Sequence, residues 1–413
     1  MRKIILLFLV VLVAVPVIAK ESKSETKAKV DVAKNINAPQ TDARNVTFET
    51  SEGTWMSIDI SPDGSTLVFD LLGDIYTLPV SGGTAKAITK GPALDMHPRY
   101  SPDGKTIAFD SDRGGMENLW LMNSDGSNPR ILVKDKDTYL MSATWTPDGN
   151  YLIARKEDGK RAGIPPVELW MYHIQGGTGI KLTSSDEINS AAGPVVSRDG
   201  RYVYFAARRE RFSYIPDLSG GLWQIVRYDR KTGETSQLTQ GFGGAVRPAV
   251  SPDGKSLFFL SRRDADTVMV WRDLETGSEK ILAKGLSTDE QEGFTRSDLY
   301  PNYAVTPDNK SLIYYNHGKI EKLDIASKQV SQINFTAKVE QWLAQRVTFQ
   351  DKMDMGPVQA HILRWTNQSP DGRWVTYDAF GKIWLQELNA GKIVGEAKRL
   401  TKDDPSLPKR EYA

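Results

Sequence analysis

The sequence predicts an all-β fold, a β-propeller of seven four-stranded antiparallel blades. One tetrapeptide turn returns seven times, and each copy lies between strand-forming segments in the same order. The turns begin at Ser61, Ser101, Thr146, Ser197, Ser251, Thr306 and Ser369, and five of the seven read Ser/Thr-Pro-Asp-Gly without change. Their starts are 40, 45, 51, 54, 55 and 63 residues apart, a period characteristic of propeller blades whose loops lengthen along the chain. Two separate β-sandwiches would give no reason for one repeated turn at this spacing.

A short strand precedes each turn, as in SATW or RPAV, and a strongly β-prone strand follows: STLVFDL, KTIAFDS, NYLIARK, RYVYFAA, KSLFFLS, KSLIYYN and RWVTYDA. A third strand comes next, often with an aromatic residue (GDIYTLPV, ENLWLMN, VELWMYH), and KAITK, IKLTS, SQLTQ and KRLTK close several units. Four such strands joined by tight turns make one antiparallel blade. The turn residues have a local explanation. Proline pre-sets φ, aspartate bonds its neighbouring backbone, glycine accepts positive φ, and serine or threonine bonds back to the chain. Asn309, which replaces the glycine once, is compatible with the same geometry. A blade cannot cover its own faces, so stability is expected from stacking around a ring.

Residues 1–19, MRKIILLFLVVLVAVPVIA, combine Arg2 and Lys3 with an apolar run and small residues before a cut, the pattern of a secretory signal peptide. The run from Ile4 to Ile18 is short of the ~20 residues that span a bilayer. Residues 20–44 read as a flexible polar leader, and 45–413 as the propeller. Cleavage removes two positive charges and turns the formal charge from +1 to −1. Neither nucleic acid nor membrane insertion after cleavage is expected from such a balance. With no cysteine the chain folds without disulfides, and the bacterial periplasm or exterior fits best. At the other end, LTKDDPSLPKREYA stops where the inner strand of a further repeat is due. Two accounts follow. Either residues near 410 pair with the strand around NVTFET to close a seven-bladed ring, or the chain is the front of a longer protein, or of an eight-bladed ring; the longer protein is favoured.

The chemistry is sparse. His97, His173, His317 and His361 are scattered, without the converging spacing of a metal site. Asp110 with Asp112, and Asn123-Ser-Asp-Gly, offer alternating oxygens but fall between strands, where turn capping explains them. The sequence contains no G-x-S-x-G elbow, no phosphate loop and no recognisable carboxylate pair for glycoside hydrolysis. No catalytic residue, cofactor or metal is therefore assigned. A propeller's functional surface is usually one rim of its channel. The residues four before each turn, Ser57, His97, Ser142, Gly193, Arg247, Asn302 and Trp365, should share a level on the inner strands. His97 and Arg247 are the ligand candidates among them, expected near the channel.

The SPDG-centred blades, with the following Asp110-Ser111-Asp112-Arg113, resemble the TolB propeller and the blades of tricorn-type and prolyl-oligopeptidase-type proteases. The stretch from Thr54 to Arg155 is more similar still to the N-terminal propeller of exported bacterial amidohydrolase-family proteins. The resemblance covers residues 46–413. It departs in two places: the α/β domain that precedes the TolB propeller has no room here, and the His-x-His pair of the amidohydrolase barrel is absent from this sequence. The resemblance implies a module for protein–protein or ligand binding, the scaffold or substrate gate of a longer amidohydrolase-type hydrolase. Its partner would be a hydrolase domain in cis, or a periplasmic protein, peptide or glycan. The alternative is a self-contained periplasmic hydrolase or lyase with acids at the channel mouth.

Overall fold

The structure, a computed structural model, describes residues 42–160, 165–211, 223–293, 298–345, 356 and 358–402. The expected signal segment, nearly all of the leader and the residues near 410 lie outside these. Among the described residues the regular structure is all β-strand, and no helix is long and apolar enough to cross a membrane. The chain divides into two compact units, Met1–Gln345 and Arg346–Ala413.

Every repeated turn joins the first and second strands of a four-stranded blade. Blade 1 comprises Ile58–Ile60, Thr66–Leu71, Asp74–Pro79 and Gly83–Ala87. The first strands of blades 2 to 6 are Asp95–Tyr100, Thr138–Trp145, Ser190–Val196, Val246–Val250 and Ala304–Val305. Blade 7, in the second unit, comprises Arg364–Gln368, Trp374–Ala379, Lys382–Asn389 and Lys392–Arg399.

The first unit is a ring of six blades, not seven. Its first strands touch in cyclic order, with that of blade 6 against that of blade 1. Each sheet stays open, and the closure lies between blades. The Ile58 N–H donates to the Asn302 carbonyl at 2.9 Å, and Asn302 Nδ2 donates to the Ile58 carbonyl at 2.6 Å. Beneath these bonds Met56 and Ile58 of blade 1 share one apolar cluster with Ile313 and Ile320 of blade 6.

The turns also help build the ring. In all seven the Ser or Thr hydroxyl donates to the Asp carboxylate at 2.5–2.6 Å. The same hydroxyl oxygen accepts the N–H five residues on, as at Thr106 (3.0 Å) and Trp374 (3.0 Å). These bonds hold the Asp63 carboxyl at about 2, through Ser61 first and then Ser65. The turn's fourth residue has positive φ throughout, including Asn309 at 60°. In blades 1 to 4 that residue abuts the proline of the preceding turn: a Cβ on Gly104 would lie 3.2 Å from Pro62, and one on Gly64 3.5 Å from Pro307 of blade 6.

The strand expected around NVTFET forms as Arg44–Thr50, but with a different partner. It pairs antiparallel along Phe335–Leu343, from Arg44 opposite Leu343 to Thr50 opposite Ala337. Phe335–Ala337 in turn runs parallel to Gly83–Ala85 on the outside of blade 1. Phe335, Ala337 and Val339 alternate inward into the core of blade 1, and Phe335 meets Phe69 edge-on at 5.4 Å. The chain leaving blade 6 thus straps across the joint. This use of the chain accounts for part of the 63-residue gap before Ser369.

Asn302→Ala removes the side-chain half of the joint and leaves the Ile58 carbonyl unpaired in the core. It is expected to lower the unfolding free energy by about 1–3 kcal/mol, measured by urea denaturation followed by tryptophan fluorescence.

Candidate functional site

The residue four before the turn sits on a β-bulge. The first strand's pairing slips between Met96 and Arg99, Met141 and Thr144, Ala192 and Val195, and Val246 and Ala249 in blades 2 to 5. At that level His97, Ser142, Gly193 and Arg247 have φ of 53°, 51°, 54° and 50°. Only glycine adopts this region freely; the others cost on the order of 1–3 kcal/mol each. A bulge also takes an N–H off the strand ladder, and a buried N–H requires an acceptor.

Carboxylates supply that acceptor. Asp70, the ninth residue after Ser61, accepts the N–H of Ser57 in its own blade and of His97 in the next, both at 2.7 Å. Asp110, at the same place in blade 2, accepts the Ser142 N–H of blade 3 at 2.7 Å. It also lies 2.6 Å from His97 Nδ1. Each of these second strands thereby holds the strained bulge of the following blade.

In blade 3 the equivalent residue is Arg155. It is buried, and its Nη1 stands 3.9 Å from Asp298, in the lead-in to blade 6. Blades 3 and 6 are opposite members of a six-blade ring, so this pair lies across the axis. Asp298 also accepts from Arg247 Nη1 at 2.5 Å. Room for that guanidinium depends on Gly193, where a Cβ would lie 3.1 Å from Arg247 Cδ. Tyr303 Oη fixes the bulge by donating to the Arg247 carbonyl at 2.8 Å.

The sequence candidates His97 and Arg247 therefore stand in one axial network, 3% and 6% exposed. Gly193 and Ser142 flank them, while Ser57 and Asn302 form the blade 6–blade 1 joint. Trp365 belongs to the second unit, where it repeats the positive φ at 52°. His173 meets Tyr151 edge-on, His317 Nε2 is 3.1 Å from the Gly285 carbonyl, and His361 is exposed on a loop. Asp125 caps its turn through the Ser127 N–H, and Asp112 accepts the Leu94 N–H. Asp110 departs from the turn-capping expectation: it lies buried within the strand Thr106–Ser111, whereas Asp112 follows the strand's end. Among the described residues no cluster of three or more His, Cys, Asp or Glu could hold a metal ion.

Burial pushes the Asp70 and Asp110 carboxyls up. It would by itself lower the His97 pKa, but the bond and charge of Asp110, with the charges of Asp70 and Asp298, raise it overall. Burial opposes ionisation of Asp298 as well, yet Arg247 and then Arg155 hold its pKa at about 2. The network is charged, enclosed and mutually compensating. Arg155 retains capacity at its head, since Nε and Nη1 donate no hydrogen bond among the described residues.

Asp70, Arg155 and Asp298 are the site residues that the sequence reading missed. For the first two a signal existed: at the ninth residue after the turn, blades 4, 5 and 6 have Ala206, Leu260 and Tyr315, whereas blades 1 to 3 have Asp70, Asp110 and Arg155. Asp298 has no repeat position to betray it.

Residues 23–208 match the family described as TolB beta propeller domain. Uncharacterized protein Atu1656 of Agrobacterium fabrum is 27% identical over 273 residues, 63% of this chain and 84% of that protein. Uncharacterized peptidase YuxL of Bacillus subtilis is 28% identical over 187 residues, 45% of this chain but 24% of the peptidase. Among solved structures, TolB from Acinetobacter baumannii superposes with a TM-score of 0.52 at 17% identity, over 68% of this chain and 65% of that one. That likeness is one of fold.

Two outcomes follow from the axial charges. The folded Asp298 pKa of about 2 lies below its ordinary 3.8, so its stabilisation is complete above pH 3.8 and lost as pH falls toward 2. Asp298→Asn is expected to cost roughly 3–5 kcal/mol at pH 7, because Arg247 is left buried without its counter-charge, and to flatten that acid limb in urea titrations. The His97 pKa is raised above 6.5, so its contribution is full below pH 6.5 and fades as pH rises through the folded value. The stability gap between wild type and His97→Gln should accordingly be wider at pH 5.5 than at pH 9.

Proposed function

We propose that this chain, which carries a TolB-type β-propeller domain, is an exported binding module that receives a polypeptide partner or substrate at its ring axis and gates it for a hydrolase domain. The observation that carries this reading is Arg155. A guanidinium held at the axis, 3.9 Å from Asp298 across the ring and with Nε and Nη1 donating no hydrogen bond among the described residues, suits charge-assisted contact with a carboxylate oxygen. His97 and Arg247 are the neighbouring ligand candidates, and the His97–Asp110 pair serves to fix the bulge on which His97 stands.

The relatives support a modular role. The peptidase YuxL is matched over 24% of its own length, as a propeller module within a longer hydrolase would be. An amidohydrolase-type barrel is the domain we assign to that role here, following the similarity of Thr54–Arg155. Export rests on residues 1–19, with the periplasm as the compartment.

Purified residues 20–413 are expected to bind acidic peptides, for example a hexapeptide with a free C-terminal carboxylate, in isothermal titration. Arg155→Met should weaken that binding at least tenfold while leaving the strand circular dichroism unchanged. Equal affinity in the folded variant would refute axial capture. Hydrolysis of peptide or glycan substrates by this purified chain, persisting after chelation, would count against a non-catalytic module.

A further inference from the structure

We propose that blade 7 is the first blade of a second propeller, its exposed lateral face covered by the inner strand of a following SPDG-type blade of the same polypeptide. The argument compares one position across all seven blades. Opposite the ninth residue after each turn, the third strand carries Ile75, Leu119, Leu169, Ile225, Met269, Ile320 and Ile383. All seven are large and aliphatic. The first six are 0% exposed, whereas Ile383 is 45% exposed.

For four of the six the cover is defined by a shared apolar cluster. Ile75 packs with Tyr100 and Ile107 of blade 2, and Leu119 with Leu140 and Ala143 of blade 3. Leu169 packs with Ala191 of blade 4, and Ile320 with Met56 and Ile58 of blade 1. In each case the covering residues come from the next blade around the ring, and they include its first strand or lead-in. Blade 7 lacks nothing else of the pattern. It has the Ser369–Asp371 clip at 2.6 Å, the bulge between Arg364 and Asn367, and Trp365 at positive φ and 86% exposed. Val375 and Tyr377 occupy positions that in the other six blades are fully buried, toward the preceding blade, and both are only half-buried here; this is the face that the last blade of a second ring would meet.

The ring of blades 1 to 6 has no vacant lateral face, because blade 6 already meets blade 1 through Asn302 and Ile58. The chemistry of the missing cover is therefore that of another blade: an apolar inner strand bearing a bulged residue whose N–H reaches Asp378. Asp378 stands where Asp70 and Asp110 accept the N–H of the next blade. A single blade with a bare apolar face is marginal in water, so the extra blade and its cover are expected to fold together.

This inference shares with the proposed function the premise of a longer polypeptide, but its readout is local to blade 7. Hydrogen exchange by mass spectrometry would compare residues 20–413 with the natural full-length product. In the shorter chain, amides of 375–377 and 383–385 should exchange on the order of 100-fold faster than those of 107–109 and 119–121, and in the longer one they should match them. Ile383→Asp should abolish that gain and leave 107–121 unchanged. Equal protection in the shorter chain, protection that appears only in a dimer of it, or a reading frame that ends at codon 413 would each overturn the proposal. A second SPDG ring with no hydrolase domain behind it would instead uphold the inference and defeat the gating role.

Discussion

The junctions of blade 1 with blade 2 and of blade 2 with blade 3 depend on buried carboxylates that accept N–H groups from the following blade. A bulge in the first strand turns one residue into left-handed backbone and points its N–H away from the ladder. Without an acceptor that N–H would cost as much as a lost hydrogen bond in a water-free interior. Asp70 and Asp110 supply the acceptor from the preceding blade, so the strain of one blade is relieved only when its neighbour is in place. Folding of adjacent blades is coupled through that bond as well as through apolar contact.

Where the carboxylate gives way to Arg155, the same position acquires a different reach. The side chain crosses the axis to Asp298, and Arg247 joins from a third blade. Buried ion pairs of this kind are poor sources of net stability, because desolvation offsets much of the attraction. In this ring they tie blades 3 and 5 to the lead-in of blade 6 across the axis. The same network places a guanidinium with unused donors at the axis, and for that reason architecture and proposed binding coincide there.

The repeated turn belongs to both scales. Within a blade its hydroxyl–carboxylate clip sets the hairpin, and in blades 1 to 4 its glycine abuts the preceding proline. At blade 4, where Arg198 replaces proline, the guanidinium instead donates to the Pro252 carbonyl at 2.6 Å. At blade 6, Asn309 replaces glycine and its Oδ1 accepts the Asp253 N–H at 3.0 Å. Both departures from the tetrapeptide remain joined to blade 5 by a hydrogen bond.

The sequence by itself determined the blades. Turn chemistry and strand alternation are local, and they placed the seven units and a common level on their inner strands with His97 and Arg247 upon it; that this level is a β-bulge came from the structure. It did not determine how many blades share a ring, because every blade presents the same kind of lateral face and the period is blind to where closure occurs. Tertiary structure decided that through Asn302 meeting Ile58, and through Phe335–Leu343 pairing with Arg44–Thr50, the strand that one of the two accounts had given to residues near 410. It likewise decided the axial site. Asp110, read locally as a turn residue, and Asp298, which has no repeat position, acquire their roles only when strands distant in sequence converge at a low-dielectric centre where each charge must find its counterpart.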